Sequence, residues 1–132
     1  MQSFNESEGS VEYKSNLERL AFRYCDANPQ IVKWSCEPFH IPYIKPTDNK
    51  IHRYYIDLYV EFKTGDKFLV EIKSSGETKP PVKPKKITKK SENNYKKSLQ
   101  TWLINSAKWE SAKNFCSQKG LKFIILTENE LN

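Results

Sequence analysis

The sequence predicts an α/β sandwich, a single domain in which one mixed β-sheet is flanked by helices. Three observations lead there. Apolar residues recur first at helical spacing, then alternate through several short runs, return to helical spacing, and end in a short apolar run. That order of helix, strands, helices and strand buries its apolar faces only if helices pack on a sheet. The 132 residues suffice for one core but not for two. A hydrophobic content of 37% with 13% aromatic residues is that of an ordinary globular domain. No apolar run reaches the roughly 20 residues a membrane helix needs, so no membrane partner is expected.

Residues 1–12 have neither a basic cluster nor an apolar stretch and read as a flexible lead-in rather than a secretory signal, ahead of a domain over 13–132. From Tyr13 to Asn28 the apolar positions Tyr13, Leu17, Leu20, Ala21 and Tyr24 fall at helical spacing, and Pro29 stops that helix. Ile31 to Cys36 and Phe39 to Ile44 read as strands around a Glu37-Pro38 break, and 45–50 as a turn. The longest strand is expected over His52 to Phe62, paired with Lys67 to Ser74 through Lys63-Thr64-Gly65-Asp66. Residues 75–90 hold Gly76, Pro80, Pro81 and Pro84 and should form an extended, mobile loop that orders on a partner. Two helices follow, Ser91 to Leu103 and Ser106 to Lys119, with Trp102, Trp109, Ala112, Phe115 and Cys116 for burial. Gly120 suits the residue after a helix end, and Leu121 to Thr127 closes as a buried strand.

Cys25, Cys36 and Cys116 are odd in number and widely separated, which fits reduced thiols; no cysteine or histidine has zinc spacing. The net charge of +6 is unevenly placed: 79–113 holds ten lysines against Glu92 and Glu110, so the whole excess lies in this one segment. Such a segment would steer a polyanion.

The chemistry concentrates in two strands. Asp57 sits in the apolar run Tyr54-Tyr55-Ile56-Asp57-Leu58-Tyr59-Val60, and Glu71 and Lys73 share one face of Val70-Glu71-Ile72-Lys73. Charges on apolar strands are costly unless compensated. A divalent ion held by Asp57 and Glu71, with the Ile72 carbonyl as a further oxygen donor, would compensate the carboxylates, and a phosphodiester would compensate Lys73. Lys73 would then orient the attacking water or hold the phosphate. A salt bridge between Glu71 and Lys73 on a half-exposed strand is the competing reading.

Parity adds a condition. An even hairpin loop centred on Thr64-Gly65 would put Asp57 and Glu71 on opposite faces, so a shared metal requires an odd loop or a bulge. A three-residue loop with Gly65 at positive φ meets it. Arg53, by strand parity with Asp57, and Lys108, beside Trp109, are further candidates for phosphate contact. Lys83, Lys85, Lys86, Lys89 and Lys90 are candidates for duplex backbone contacts without base reading.

The spacing Asp-x13-Glu-x-Lys resembles the signature of the PD-(D/E)XK nuclease superfamily, with Ile56 where its name has proline. More specifically, Tyr13-Lys14-Ser15-Asn16-Leu17-Glu18, Asn28-Pro29, Trp34, Arg53-Tyr54-Tyr55-Ile56-Asp57, Glu71-Ile72-Lys73, Pro80-Pro81-Val82-Lys83-Pro84, Lys108-Trp109, Gly120-Leu121-Lys122-Phe123 and Leu126-Thr127-Glu128 resemble the head completion nucleases of T-even-type phages. That family is related in fold to the endonuclease subunit of Tn7-like transposases. The resemblance implies a restriction-endonuclease-like αβββαβ core and a magnesium-dependent deoxyribonuclease, with manganese able to substitute. It implies Glu18, Asp57, Glu71 and Lys73 as the catalytic set, with Glu18 reaching the metal directly or through water. The implied substrate is double-stranded DNA with little sequence specificity, trimmed before head–tail joining, without a nucleotide cofactor. Portal and neck proteins are the implied partners, in the host cytoplasm during assembly or at the head–tail vertex of the virion. The alternatives are a DNA-binding connector module without relevant catalysis, and a junction or repair nuclease on the same fold.

Overall fold

The computed structural model describes residues 9–131, with side chains described from Asn16 onward. Helix α1 (Gly9–Ala27) is followed by β1 (Ile31–Cys36), β2 (His40–Lys45), β3 (Lys50–Tyr55), β4 (Leu58–Phe62) and β5 (Lys67–Ile72). A 3-10 turn (Ser75–Thr78), the long α2 (Lys89–Lys119), β6 (Lys122–Leu126) and the short α3 (Glu128–Leu131) complete the chain. The helix α1 thus begins ahead of Tyr13, inside the expected lead-in, and residues 1–8 of that lead-in lie outside the described residues.

Strands β1, β4, β5 and β6 form one mixed sheet in the order β1-β4-β5-β6, antiparallel except for the parallel β5–β6 pair. With α1 and α2 this is the expected αβββαβ core. The hairpin β2–β3 is an insertion that forms its own two-stranded sheet.

One side of the four-stranded sheet packs on α1, where Leu17, Ala21, Phe22 and Cys25 meet Leu58, Val60, Val70 and Ile72. Trp34 ties the end of α1 to β1 by stacking on Phe22 and donating its indole N–H to Asp26 Oδ1 at 3.1 Å. The other side packs on α2, where Leu69 meets Trp109, Ala112 and Cys116 together with Ile41, Tyr43, Tyr54 and Ile56 of the hairpin. Burial pushes the Cys25 thiol up to about 11, with Asp26 adding to it, and raises that of Cys116. These thiols are packing groups held in their neutral form.

Three expectations need correcting. The strand expected over His52 to Phe62 is broken at Ile56-Asp57 into β3 and β4, which belong to different sheets. The cause lies across the ribbon: Pro38 has no N–H to give a ladder, and Glu37 at φ 45° forms a bulge, so three residues between β1 and β2 face two between β3 and β4. The ribbon stays paired through the bend, Glu37 N–H donating to Asp57 O and Ile56 N–H to Phe39 O, but β2–β3 swings onto α2. The two helices expected either side of Leu103 to Ser106 are one helix of 31 residues, because no glycine or proline interrupts them. Thr88 caps its start in a capping box with Ser91, and Gly120 at φ 71° ends it. Strand β6 is a half-buried edge strand rather than a fully buried one.

Candidate active site

Strand register decides which side chains meet. The β4–β5 pairing runs Leu58↔Val70, Tyr59↔Leu69, Val60↔Phe68 and Glu61↔Lys67. Phe62 N–H donates to Asp66 O at 2.9 Å, so Lys63, Thr64 and Gly65 form a three-residue loop, with Gly65 at φ 93°. This is the odd loop that a shared site requires. Continued one step beyond Leu58, the register places Asp57 opposite Glu71 on the α2 side of the sheet, where opposed Cβ atoms lie about 4.5–5.5 Å apart.

The break at Ile56 gives Asp57 its orientation. In a regular ladder Ile56 would bond Ile72, but Ile56 N–H is turned to Phe39 O at 3.3 Å. The Asp57 carboxylate takes the vacated place, its Oδ2 accepting the Ile72 N–H at 2.9 Å. The Ile72 carbonyl points to the same edge as its N–H, beyond the end of β4, and so toward the Asp57 carboxylate. On the other edge Lys73 N–H donates to Leu126 O at 3.0 Å, which pins the strand end to β6.

Glu71 is 4% exposed and its Oε2 accepts the Trp109 indole N–H at 3.3 Å. Beside it lies Tyr54, 3% exposed, whose hydroxyl is a buried polar atom without a formed hydrogen bond among the described residues. Burial first, then the charges of Glu71 and Asp57, push that hydroxyl's pKa far up, and its nearness to Glu71 adds to this. It therefore stays protonated beside the carboxylate pair. The Lys108 ammonium sits 5.8 Å and 5.7 Å from the ring centroids of Tyr43 and Tyr54, at the flank of the same group.

Asp57, Glu71 and the half-buried Lys73 thus fall on one side of the sheet, at the end of the β4–β5 pair. Glu18 lies on α1, whose Leu17 and Ala21 pack on the opposite side of the sheet. Among the described residues no three His, Cys, Asp or Glu side chains converge to hold a metal, so Glu18 is not gathered with the other two carboxylates. Arg53 is exposed beside Tyr55, on the face of β3 opposite the buried Tyr54, because the bend at Ile56 cancels its parity with Asp57. Lys83, Lys85, Lys86, Lys89 and Lys90 are all exposed, along the approach to α2 and its first turn.

Sequence reading missed Tyr54, the bond from Trp109 to Glu71, and Glu128. No local signal links Trp109 to a residue 38 positions away. Glu128 accepts both the Ser75 N–H at 2.8 Å and the Ser75 hydroxyl at 2.9 Å, clasping the chain just after Lys73. Glu128→Ala should cost about 1–3 kcal/mol and speed amide hydrogen exchange over 73–78, read by mass spectrometry against wild type.

A model of the TnsA-like endonuclease N-terminal domain matches residues 28–128, three quarters of the chain. The chain is also 37% identical over 121 residues, 92% of its own length and 81% of the relative's, to a protein named head completion nuclease from Enterobacteria phage T4. The matched span includes β1 through β6, and with them Asp57, Glu71, Lys73 and Trp109.

Proposed function

The chain belongs to the TnsA-like endonuclease N-terminal family, and from that premise we propose that it is a metal-dependent DNA nuclease of phage head completion, trimming packaged DNA before head and tail join. The T4 relative's name supports the setting. The observation that carries the chemistry is the three-residue loop, which sets Asp57 opposite Glu71 with Lys73 on the same face.

The residues fit a hard divalent cation. Two carboxylates and the Ile72 carbonyl offer oxygen donors at one strand edge, and Tyr54 is a buried hydroxyl with an unmade bond beside them. Magnesium is the ion we assign, with manganese as its substitute; when bound, it supplies charge neutralisation at the phosphate and an acidified water. Trp109 fixes the Glu71 carboxylate and the Ile72 N–H fixes that of Asp57, so both donors are held before substrate arrives. Lys73, half-buried at the site, holds the scissile phosphate or orients the attacking water. Glu18 acts from the α1 side through water rather than as a direct partner of Asp57 and Glu71.

The exposed lysines from Lys83 to Lys90 hold the duplex by its backbone, which gives affinity without sequence preference. If about five phosphates are neutralised, log affinity should fall with log salt at a slope of roughly −4 to −5. A flat salt response by fluorescence anisotropy would remove this segment from the interface. Neck or portal proteins at the head–tail vertex are the partners this role requires.

The deciding experiment is cleavage of plasmid and linear duplex with magnesium, manganese or EDTA. Cleavage by wild type that EDTA abolishes and Asp57→Ala lacks supports the nuclease. DNA binding without cleavage under any metal would turn the reading to a connector module.

A further inference from the structure

Beyond the end of β5, the chain from Gly76 to Pro81 and the stretch of α2 from Lys97 to Asn105 line an open cleft of about 330 Å³. Its lining includes Lys79, Lys97, Ser98, Thr101, Trp102 and Asn105. We infer that this cleft holds a single unpaired nucleotide of the DNA strand being cut, so that the enzyme acts preferentially at frayed or single-stranded ends; this rests on the nuclease reading above.

Asn105 is the first argument. Only Glu71, Asn105 and Thr127 are buried polar residues among those described. Glu71 accepts the Trp109 indole and Thr127 donates its hydroxyl to Glu130, whereas Asn105, at 5% exposed, borders the cleft. A buried amide on a cavity wall offers a donor and an acceptor side by side, the pattern that matches the edge of a base. Trp102 supplies an aromatic surface for stacking, held edge-on against Trp109 with centroids 6.1 Å apart. Lys79 and Lys97 supply positive charge that outnumbers the one acid of the lining, Glu77, whose carboxylate also accepts the Ser74 hydroxyl at 2.8 Å.

Position is the second argument. Asn105 and Trp109 are four residues apart on α2, neighbours on one helix face about one 5.4 Å turn apart. Trp109 bonds Glu71, so the helix face that lines the cleft at Asn105 meets the carboxylate pair one turn further on. The cleft shares Pro81 and Ser98 with a second hollow bordered by Val82, Pro84 and Ser91. Its volume lies at the lower end of small-ligand pockets, about 300–1,000 Å³, which admits one nucleotide and no paired duplex. A base must leave its stack to enter, and that costs least at a frayed end.

The test separates the cleft from the chemistry. Thymidine tetranucleotide carrying a 5′-phosphate is titrated in EDTA, with tryptophan fluorescence as readout, against wild type, Lys97→Ala and Thr101→Leu. Thr101 is exposed on the helix, so leucine there fills the cleft without touching the core. Binding by wild type that weakens at least about tenfold in Thr101→Leu supports the cleft. In magnesium, wild type should cut duplexes with frayed ends faster than closed circles, and Thr101→Leu should lose that preference while still cutting circles. Equal oligonucleotide binding by wild type and Thr101→Leu, or equal end preference, overturns the inference and leaves the nuclease reading intact. Oligonucleotide binding lost in Thr101→Leu, with no cleavage by any form, upholds the cleft and sinks the nuclease.

Discussion

Asp57→Asn should cut duplex about a thousand-fold more slowly than wild type, or slower, while its Tm stays within about 2 °C. The asparagine substitution is the informative one because Asp57 has two roles. Its Oδ2 accepts the Ile72 N–H at 2.9 Å, closing the ladder where Ile56 has left it. Alanine would leave that N–H without a partner, at about 1–3 kcal/mol, and would loosen the strand end that carries Glu71, Ile72 and Lys73. Asparagine keeps an acceptor oxygen in place and removes only the charge. Single-turnover cleavage with matched thermal melts reads the two effects apart. Cleavage within tenfold of wild type would mean that Asp57 is a structural cap on β5 and that the metal ligands lie elsewhere.

Much of this arrangement is legible in the sequence, and the reasons are specific. The parity of Glu71 and Lys73 is local and needs no tertiary information. The three-residue loop follows from demanding a shared face for residues fourteen positions apart, and Gly65 is the residue able to close it. The break at Ile56 was not legible, because Tyr54 through Val60 reads as one continuous apolar strand. What breaks it is a bulge at Glu37-Pro38 on the partner strand, and a partner's irregularity leaves no mark on the sequence it distorts. The same break displaces Arg53 from the site. Trp109 reads as a core residue and Tyr54 only as part of a strand, and both are buried in the core. Their added roles come from the hairpin and α2 closing on one carboxylate pair, contacts between segments 17 and 38 residues from Glu71 that periodicity cannot report.

Glu71→Gln should abolish metal-dependent cleavage and, unlike most substitutions at a buried position, should leave the metal-free protein as stable as wild type or more so. Glu71 is 4% exposed and stands opposite Asp57 across a strand pair. Two like charges set opposite each other across a strand pair repel, and burial leaves Glu71 poorly solvated. Glutamine has the same shape and keeps a carbonyl oxygen for the Trp109 indole N–H. It can also donate to Asp57, turning repulsion into attraction. The expected gain is about 1–2 kcal/mol, or roughly 3–8 °C in Tm for a domain of this size, measured in EDTA. In magnesium the order should reverse. Wild type gains about 2.7 kcal/mol at a hundred times the dissociation constant, because the ion binds only the folded site, and the variant gains little. A melt in EDTA that is several degrees lower for Glu71→Gln would show that the carboxylate is held by protein partners for structure. An equal magnesium shift in both proteins would remove Glu71 from the metal site. The crossing of the two curves is the signature of a side chain whose charge serves the bound ion more than it serves the fold.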